Sequence, residues 1–299
     1  MTEILANHQR RPAGAPPRIV RTRAELREVL AATGRPIGLV PTMGWLHDGH
    51  RALVRRARGE NATVAVTIFV NPRQFNETSD YAKYPRDEAR DLAICADEGV
   101  DLVFAPPPEE VYPPSFQTTV SLGPIAGPLE GAARPGHFEG VATVVAILFN
   151  LVGADRAYFG QKDAQQVMVV RRMALDLAIP TEVIACPTVR EPDGLALSSR
   201  NVHLAPAERA AAPVLRRALL DARDQVAAGE QRAEVVRATM RRTLATESLA
   251  EVEYVSVADG ETLEELERIA GPALLSLAVR FGPTRLIDNE PIGPGSREP

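Results

Sequence analysis

The stretch Pro41-Thr42-Met43-Gly44-Trp45-Leu46-His47-Asp48-Gly49-His50 carries two of the chain's five histidines, set three residues apart among glycines. Residues at that spacing share one face of a helix, and Gly44 and Gly49 permit close backbone approach. An apolar run, Ile37–Pro41, precedes the motif and a helical pattern, Gly49–Arg58, follows it. The motif therefore occupies a strand-to-helix turn, where a helix N-terminus offers unpaired N–H groups to an anion. Two imidazoles there could donate hydrogen bonds to a polyphosphate whose charge grows as its α–β bond breaks. A histidine-capped helix and half of a zinc site are the plainer readings, and no third ligand stands nearby to favour zinc.

Three further segments hold groups fit for the same kind of chemistry. In Asn71-Pro72-Arg73-Gln74, Pro72 stops a strand and Gln74 offers both a donor and an acceptor. Gly160-Gln161-Lys162-Asp163 falls at another strand-to-helix turn, where Gly160 allows tight passage and Asp163 is placed to cap a helix starting at Ala164. Of the 34 basic residues only Lys83 and Lys162 are lysines. A compact ammonium on a flexible stem can follow a moving phosphate better than a guanidinium fork, which singles out Lys162; Lys83 lies in no such motif and reads as surface. Leu197-Ser198-Ser199-Arg200, downstream of the turn residues Pro192, Asp193 and Gly194, provides two hydroxyls and a guanidinium on a loop free to close. Taken alone, each of these segments also reads as an ordinary capped turn. Asp87, Glu88 and Asp91 form an acidic helix face that reads as solvated, and no metal ligand is assigned.

Short apolar strands alternating with helices must position these turns. Strands are expected at Ile37–Pro41, Thr63–Val70, Asp101–Ala105, Arg156–Phe159 and Glu182–Cys186. Helices are expected at Gly49–Arg58, Asp87–Glu98 (Leu92, Cys95 and Ala96 inward), Phe138–Val152 and Ala164–Ala178. That alternation implies an α/β fold, a Rossmann-like parallel sheet with helices on both faces, whose ligands collect at the carboxyl ends of the strands. Past residue 188 the composition turns to alanine, arginine and glutamate, with helices near Pro206–Ala228 and Ala233–Ala245 and strands near Glu253–Ala258 and Ala273–Phe281. The expected organisation is a flexible lead-in (1–18), a Rossmann-like domain (19–188), a smaller C-terminal α+β lid domain (189–292) and a tail (293–299).

A formal net charge of −5 without a basic block disfavours a general nucleic-acid binder. No apolar run is long enough for a membrane span and no signal-peptide pattern opens the chain, so a cytoplasmic protein is expected. Cys95 and Cys186 sit in apolar segments and read as buried thiols.

The His-x-Gly-His unit resembles the nucleotidyltransferase superfamily that includes class I aminoacyl-tRNA synthetases. The full Pro-Thr-Met-Gly-x-Leu-His-x-Gly-His form, with Phe69-Val70-Asn71-Pro72-x-Gln74-Phe75, Gly160-Gln161-Lys162-Asp163-x-Gln165-Gln166, Asp193 to Asn201, Tyr84-Pro85-Arg86 and Arg134-Pro135-x-His137-Phe138, resembles the pantothenate synthetase family over roughly residues 19–290. The resemblance implies ATP with Mg2+, pantoate and β-alanine as small-molecule partners, a pantoyl adenylate intermediate, and a homodimer. It places Met43, Gly44, His47, His50, Gly160, Lys162, Asp163, Leu197, Ser198, Ser199 and Arg200 at ATP, and Val189 by its backbone at the adenine. It gives His50, His47 and Lys162 the phosphate charge, with His50 the proton donor, and sets Gln74 and Gln166 on pantoate. No side chain is assigned to the β-alanine carboxylate. Asp48, Leu197 and the bulky Trp45 depart slightly from the usual pattern. A transferase acting on another acceptor, an inert ATP-binding regulator and an RNA-binding synthetase fragment are the rival readings.

Overall fold

The computed structural model describes residues 14–75 and 78–293, so the parts of the expected lead-in and tail at 1–13 and 294–299 lie outside the described residues. Two compact units form. The first comprises residues 14–75 and 78–126 with Gly131–Gly160 and Val169–Cys186; the second comprises Gly127–Glu130, Gln161–Met168 and the residues from Pro187 onward. Segments 127–130 and 161–168 thus group with the second unit although they precede residue 188.

The first unit is built on six parallel strands: β1 (Arg18–Val20), β2 (Ile37–Thr42), β3 (Thr63–Ile68), β4 (Leu102–Phe104), β5 (Arg156–Gly160) and β6 (Glu182–Cys186), in the order β1-β4-β3-β2-β5-β6. The chain steps outward from β2 to β3 and β4, then returns to the other side of β2 for β5 and β6, which makes the β2–β5 boundary the switch point where such sheets bind ligands. The boundary also opens. β2 pairs with β3 through Thr42 but with β5 only at Gly38 and Leu39. Pro41, which lacks an N–H to donate, sits where the β5 ladder has ended, so a proline is tolerated in a central strand. One sheet face is covered by helices Asp48–Glu60 and Glu88–Asp97, whose Leu53, Val54, Ala57, Ile94 and Cys95 pack on Val40, Val64, Val66 and Val103. The opposite side carries helix His137–Val152, packed against β2 and against helix Arg23–Ala31.

The second unit has three antiparallel strands in sequential order, β7 (Glu251–Asp259), β8 (Ala273–Phe281) and β9 (Thr284–Ile292). Their inward side chains share a core with helices Val214–Ala227 and Ala233–Leu244, including Leu215, Leu219, Val236, Met240, Leu275 and Leu277.

Four elements depart from expectation. β1 and helix Arg23–Ala31 fall where no element was expected, and the helix is announced by a capping box in which Thr22 accepts from the Glu25 N–H and the Glu25 carboxylate accepts from the Thr22 N–H. The helix expected over Pro206–Ala228 splits into Pro206–Ala211 and Val214–Ala227, because Pro213 cannot donate to the helix ladder. β9 follows β8 after the two-residue turn Gly282-Pro283, and its polar run Asp288-Asn289-Glu290 conceals the strand period.

Candidate active site

In the first unit, β2 runs into a tight turn before helix Asp48–Glu60. The Thr42 hydroxyl donates to the Thr67 carbonyl at 2.7 Å and accepts from the Gly44 N–H at 3.1 Å. Gly44 and Trp45 both take positive φ, 81° and 53°. His47 is the N-cap: its Nδ1 accepts from the Gly49 N–H at 3.1 Å, and His50 Nδ1 accepts from the His47 N–H at 3.3 Å. The capped-helix reading and the phosphate reading therefore coexist. A ring nitrogen that accepts carries no proton, so in the neutral form of each imidazole Nε2 bears the N–H. The two rings lie 4.2 Å apart, centre to centre, tilted by 48°. Two imidazole donors are thus presented from one helix start, at the switch point of the sheet.

Gly49 is required by this arrangement, since a Cβ there would lie 2.8 Å from His47 Cε1.

Gln74 ends a 3₁₀ turn, Pro72–Gln74, that follows β3. Its side-chain amide is oriented at both ends: Asn71 Nδ2 donates to Gln74 Oε1 at 3.0 Å, and Gln74 Nε2 donates to the Met43 sulfur at 2.9 Å. Asn71, 1% exposed, also donates to the Gly140 carbonyl and accepts from the Tyr112 hydroxyl at 2.8 Å. Burial raises the pKa of that hydroxyl, which stays a donor. The Gln74 carbonyl is gripped as well, by His137 Nδ1 at 2.9 Å and by Arg134 at 3.3 Å, while Arg134 also donates to His137 Nε2 at 3.2 Å. His137 therefore has its proton on the nitrogen opposite to that of His47 and His50. Helix His137–Val152 approaches so closely that a Cβ on Gly140 would meet the Arg73 carbonyl oxygen at 2.3 Å.

The acidic face of helix Glu88–Asp97 is not wholly solvated, contrary to expectation. Asp91 is 1% exposed; its two oxygens accept the Trp45 and Leu46 N–H groups, each at 2.8 Å. Asp91, Ile94 and Cys95 form one helical stripe, so the acid occupies a core position and is compensated by backbone donors. Cys95 beside it is pushed up to about 12, by burial and then by the Asp91 charge.

In the second unit, Lys162 belongs to the 3₁₀ turn Gln161–Asp163, which leads directly into helix Ala164–Asp176. Its ammonium lies 3.6 Å from Asp163 Oδ1. Asn289 of β9 fixes the turn by donating to the Gln161 and Lys162 carbonyls at 3.0 and 2.9 Å. Gln166 is half-buried, whereas its neighbour Gln165 is buried and bridges the Glu130 N–H and the Pro128 carbonyl. These two tethers explain why residues 127–130 and 161–168 group with the C-terminal unit.

Val189 and Leu197 are joined by a Leu197 N–H to Val189 carbonyl bond, closing a hairpin over the Pro192-Asp193-Gly194 turn. Ser198 caps the 3₁₀ turn Ser199–His203 through the Arg200 N–H. Lys162, Ser198, Arg200, Asn201, Arg285 and Asp288 line one shallow cavity. Asp288 is held by a bidentate pair with Arg190, at 2.7 and 3.0 Å. Burial opposes the Arg285 charge, yet hydrogen bonds to Glu130 and Glu253 raise its pKa.

The expected site residues thus fall into two groups. Met43, Gly44, His47, His50 and Gln74 gather in the first unit, where Gly160 ends β5; Lys162, Asp163, Gln166, Val189 and Leu197 to Arg200 belong to the second. Sequence reasoning missed the groups that orient them: Asn71, Asp91, Arg134, His137, Arg190, Asp288 and Asn289.

The family model described as pantoate–β-alanine ligase matches residues 18–291. The chain belongs to the pantoate–β-alanine ligase family. It is 60% identical over 272 residues to the pantothenate synthetase of Roseiflexus sp. (strain RS-1), covering 91% of this chain and 98% of that protein. It is 61% identical over 273 residues to that of Chloroflexus aggregans, again covering 91% and 98%. The crystal structure of the Thermus thermophilus pantothenate synthetase superposes with a TM-score of 0.85 at 51% identity, covering 91% and 98% of the two chains. The Francisella tularensis pantoate–β-alanine ligase, complexed with β-γ ATP and β-alanine, superposes with a TM-score of 0.73 at 33% identity, covering 91% and 97%. The matched lengths take in both the six-stranded parallel sheet and the separate antiparallel one.

Proposed function

We infer that this chain condenses pantoate with β-alanine at the expense of ATP, giving pantothenate, AMP and pyrophosphate in coenzyme A precursor biosynthesis. Family membership over nearly the whole chain carries the reading, and the groups at the switch point suit it. In the first step a pantoate carboxylate oxygen attacks the α-phosphorus; the bond from that phosphorus to the bridging oxygen breaks, and pyrophosphate leaves. In the second, the neutral amine of β-alanine attacks the acyl carbon; AMP departs and the nitrogen loses a proton. Neither step needs a protein nucleophile, so positioning and charge stabilisation carry the catalysis.

We assign His47 and His50 to the phosphate charge that develops in the first step, through their Nε2–H groups, with His50 the proton donor. Lys162 offsets the charge passing to pyrophosphate, supported by its place in a cavity with Ser198 and Arg200. Met43, Gly44, Gly160, Asp163, Leu197 and Ser199 bind the rest of ATP, and the Val189 backbone meets the adenine. Gln74 and Gln166 hold pantoate; the fixed Gln74 amide supports this, because a pre-oriented donor and acceptor can read a hydroxy acid. Among the described residues no three His, Cys, Asp or Glu side chains gather as a metal cage, so Mg2+ is assigned to ATP as its chelate, a mode magnesium favours. Residues 189–292 are assigned as the lid that keeps water from the acyl adenylate. A homodimer and a cytoplasmic location complete the proposal; among the described residues no helix is long and apolar enough to cross a membrane.

AMP release from ATP by the purified protein, with magnesium, tests the reading when pantoate, β-alanine or both are supplied. Sustained turnover only with both, collapsing in Lys162→Ala, is the expected result. Turnover indifferent to pantoate would move the chain to another acceptor.

A further inference from the structure

Successive backbone N–H groups in a turn can converge on a concavity that holds an anion. The Trp45 and Leu46 N–H groups do so in the turn where Gly44 and Trp45 take positive φ, and the anion they hold is internal: Asp91 Oδ2 takes the Trp45 N–H and Oδ1 takes the Leu46 N–H, both at 2.8 Å. The fit leaves no room for a larger residue at position 44, because a Cβ on Gly44 would lie 2.8 Å from Asp91 Oδ2. Arg90 adds a second hold, its guanidinium 4.9 Å above the Trp45 ring and 3.7 Å from Asp91 Oδ1.

A left-handed tryptophan is strained and persists only where its surroundings over-determine it. Burying a carboxylate to tether helix Glu88–Asp97 is also an expensive choice, since an apolar side chain in the same stripe would fasten that helix without the desolvation. What the carboxylate supplies instead is direction, by fixing two successive peptide planes. The next residue in the chain is His47.

We propose that Asp91 is a positioning residue for adenylate formation: it sets the Trp45 and Leu46 peptides and, through them, the His47 cap and the paired imidazoles. This rests on the reading that His47 and His50 meet the ATP phosphates. The ring nitrogens depend on the turn directly, since His50 Nδ1 accepts the His47 N–H and His47 Nδ1 accepts the Gly49 N–H. When Asp91 becomes asparagine, one backbone N–H faces an amide donor instead of an oxygen, and the turn can relax by a fraction of an ångström.

The experiment measures pantoate-dependent exchange of pyrophosphate into ATP, side-chain ¹⁵N spectra of the histidines, and fluorescence anisotropy of Trp45, the chain's only tryptophan. Asp91→Asn is expected to lower kcat for exchange about 10²-fold, the scale of a misplaced catalytic group, with KM for pantoate changed only a few-fold. The paired Nδ1-acceptor pattern of His47 and His50, assigned with His47→Ala and His50→Ala, should be lost and Trp45 anisotropy should drop. Asp91→Glu, which keeps both acceptor oxygens, should recover part of each signal and carries the test if the asparagine variant does not fold. A folded Asp91→Asn with the wild-type nitrogen pattern and kcat overturns the proposal. The histidine variants separate the two failures: if they keep wild-type exchange, the phosphate reading of the imidazoles falls; if they lose it while Asp91→Asn keeps it, the positioning role falls.

Discussion

Asn71 Nδ2 donates to Gln74 Oε1 across 3.0 Å, and that bond decides which end of the Gln74 amide faces Met43. Asn71 is itself fixed by the Gly140 carbonyl and the Tyr112 hydroxyl, so the orientation of Gln74 is inherited from helix His137–Val152. Asn71→Ala should free the amide to turn and raise KM for pantoate by about 5- to 150-fold, the range of a lost orienting hydrogen bond of about 1–3 kcal/mol. Steady-state kinetics at saturating ATP and β-alanine checks this, and an unchanged KM would remove Gln74 orientation from the account.

Gly49→Ala separates activity from stability. Alanine is the better helix former by up to about 1 kcal/mol, but its methyl carbon would stand 2.8 Å from His47 Cε1 and push the ring off its cap. Because the lost cap offsets the gain in helix propensity, the variant should melt near the wild-type temperature while kcat falls on the order of 10²-fold. Calorimetry beside AMP release would decide; full activity in the alanine variant means that the His47 ring position does not matter.

Gly140→Ala should do the reverse. The new carbon would meet backbone, 2.3 Å from the Arg73 carbonyl oxygen and 2.7 Å from the Gln74 nitrogen, and neither can swing aside. Overpacking of this kind costs about 1–3 kcal/mol or somewhat more. A lowered urea midpoint together with a raised KM for pantoate is expected, because the turn that must shift carries Gln74.

Asp288→Ala should strand the Arg190 guanidinium, whose side chain is 15% exposed, without its bidentate partner. Removing one member of a buried pair costs about 3–5 kcal/mol. The double variant Arg190→Met/Asp288→Leu should regain much of that stability, while leaving the Lys162 cavity without its lining carboxylate. Equal urea midpoints for the single and double variants would show that the pair is not coupled.

The alternation of apolar strands with helices made the parallel sheet legible, and the histidine, glutamine and lysine motifs lay where strands end. What stayed hidden was the layer beneath. Asp91 falls in a helical stripe with Ile94 and Cys95, yet beside Asp87 and Glu88 its charge reads as surface, because nothing in its neighbourhood announces two backbone donors about 45 residues upstream. His137 and Arg134 stand in a segment noted only for its resemblance, and their target is a carbonyl, which has no sequence code. Asn289 and Asp288 were missed with β9 itself, where polar residues at successive positions mask the period of two. Side chains that touch ligand sit in recognisable turns, whereas those that touch backbone depend on long-range packing.

Stability should fall on the alkaline side through three groups of the first-unit core. Burial pushes Cys95 up to about 12, with Asp91 adding to the effect, and Cys186 up to about 11. Tyr158 rises to about 12, through burial and its bond to Glu60, although Asn61 opposes the shift. A folded-state pKa above the unfolded one means that the fold holds a proton the unfolded chain releases, so the stabilisation is complete below the unfolded value and is lost as pH climbs toward the folded one. With unfolded thiols near about 8.5 and tyrosine near about 10, the decline should begin near about pH 9 and run to about 12. Each group contributes at most about 1.4 kcal/mol per pH unit within its window. Urea midpoints at about pH 8 and pH 10.5 should differ less in Cys95→Ala/Cys186→Ala than in the parent, whatever the packing cost common to both pH values. In the parent at pH 8 neither thiol should react with a disulfide reagent until the protein is unfolded. An equal alkaline loss with and without the cysteines would place the sensitivity elsewhere.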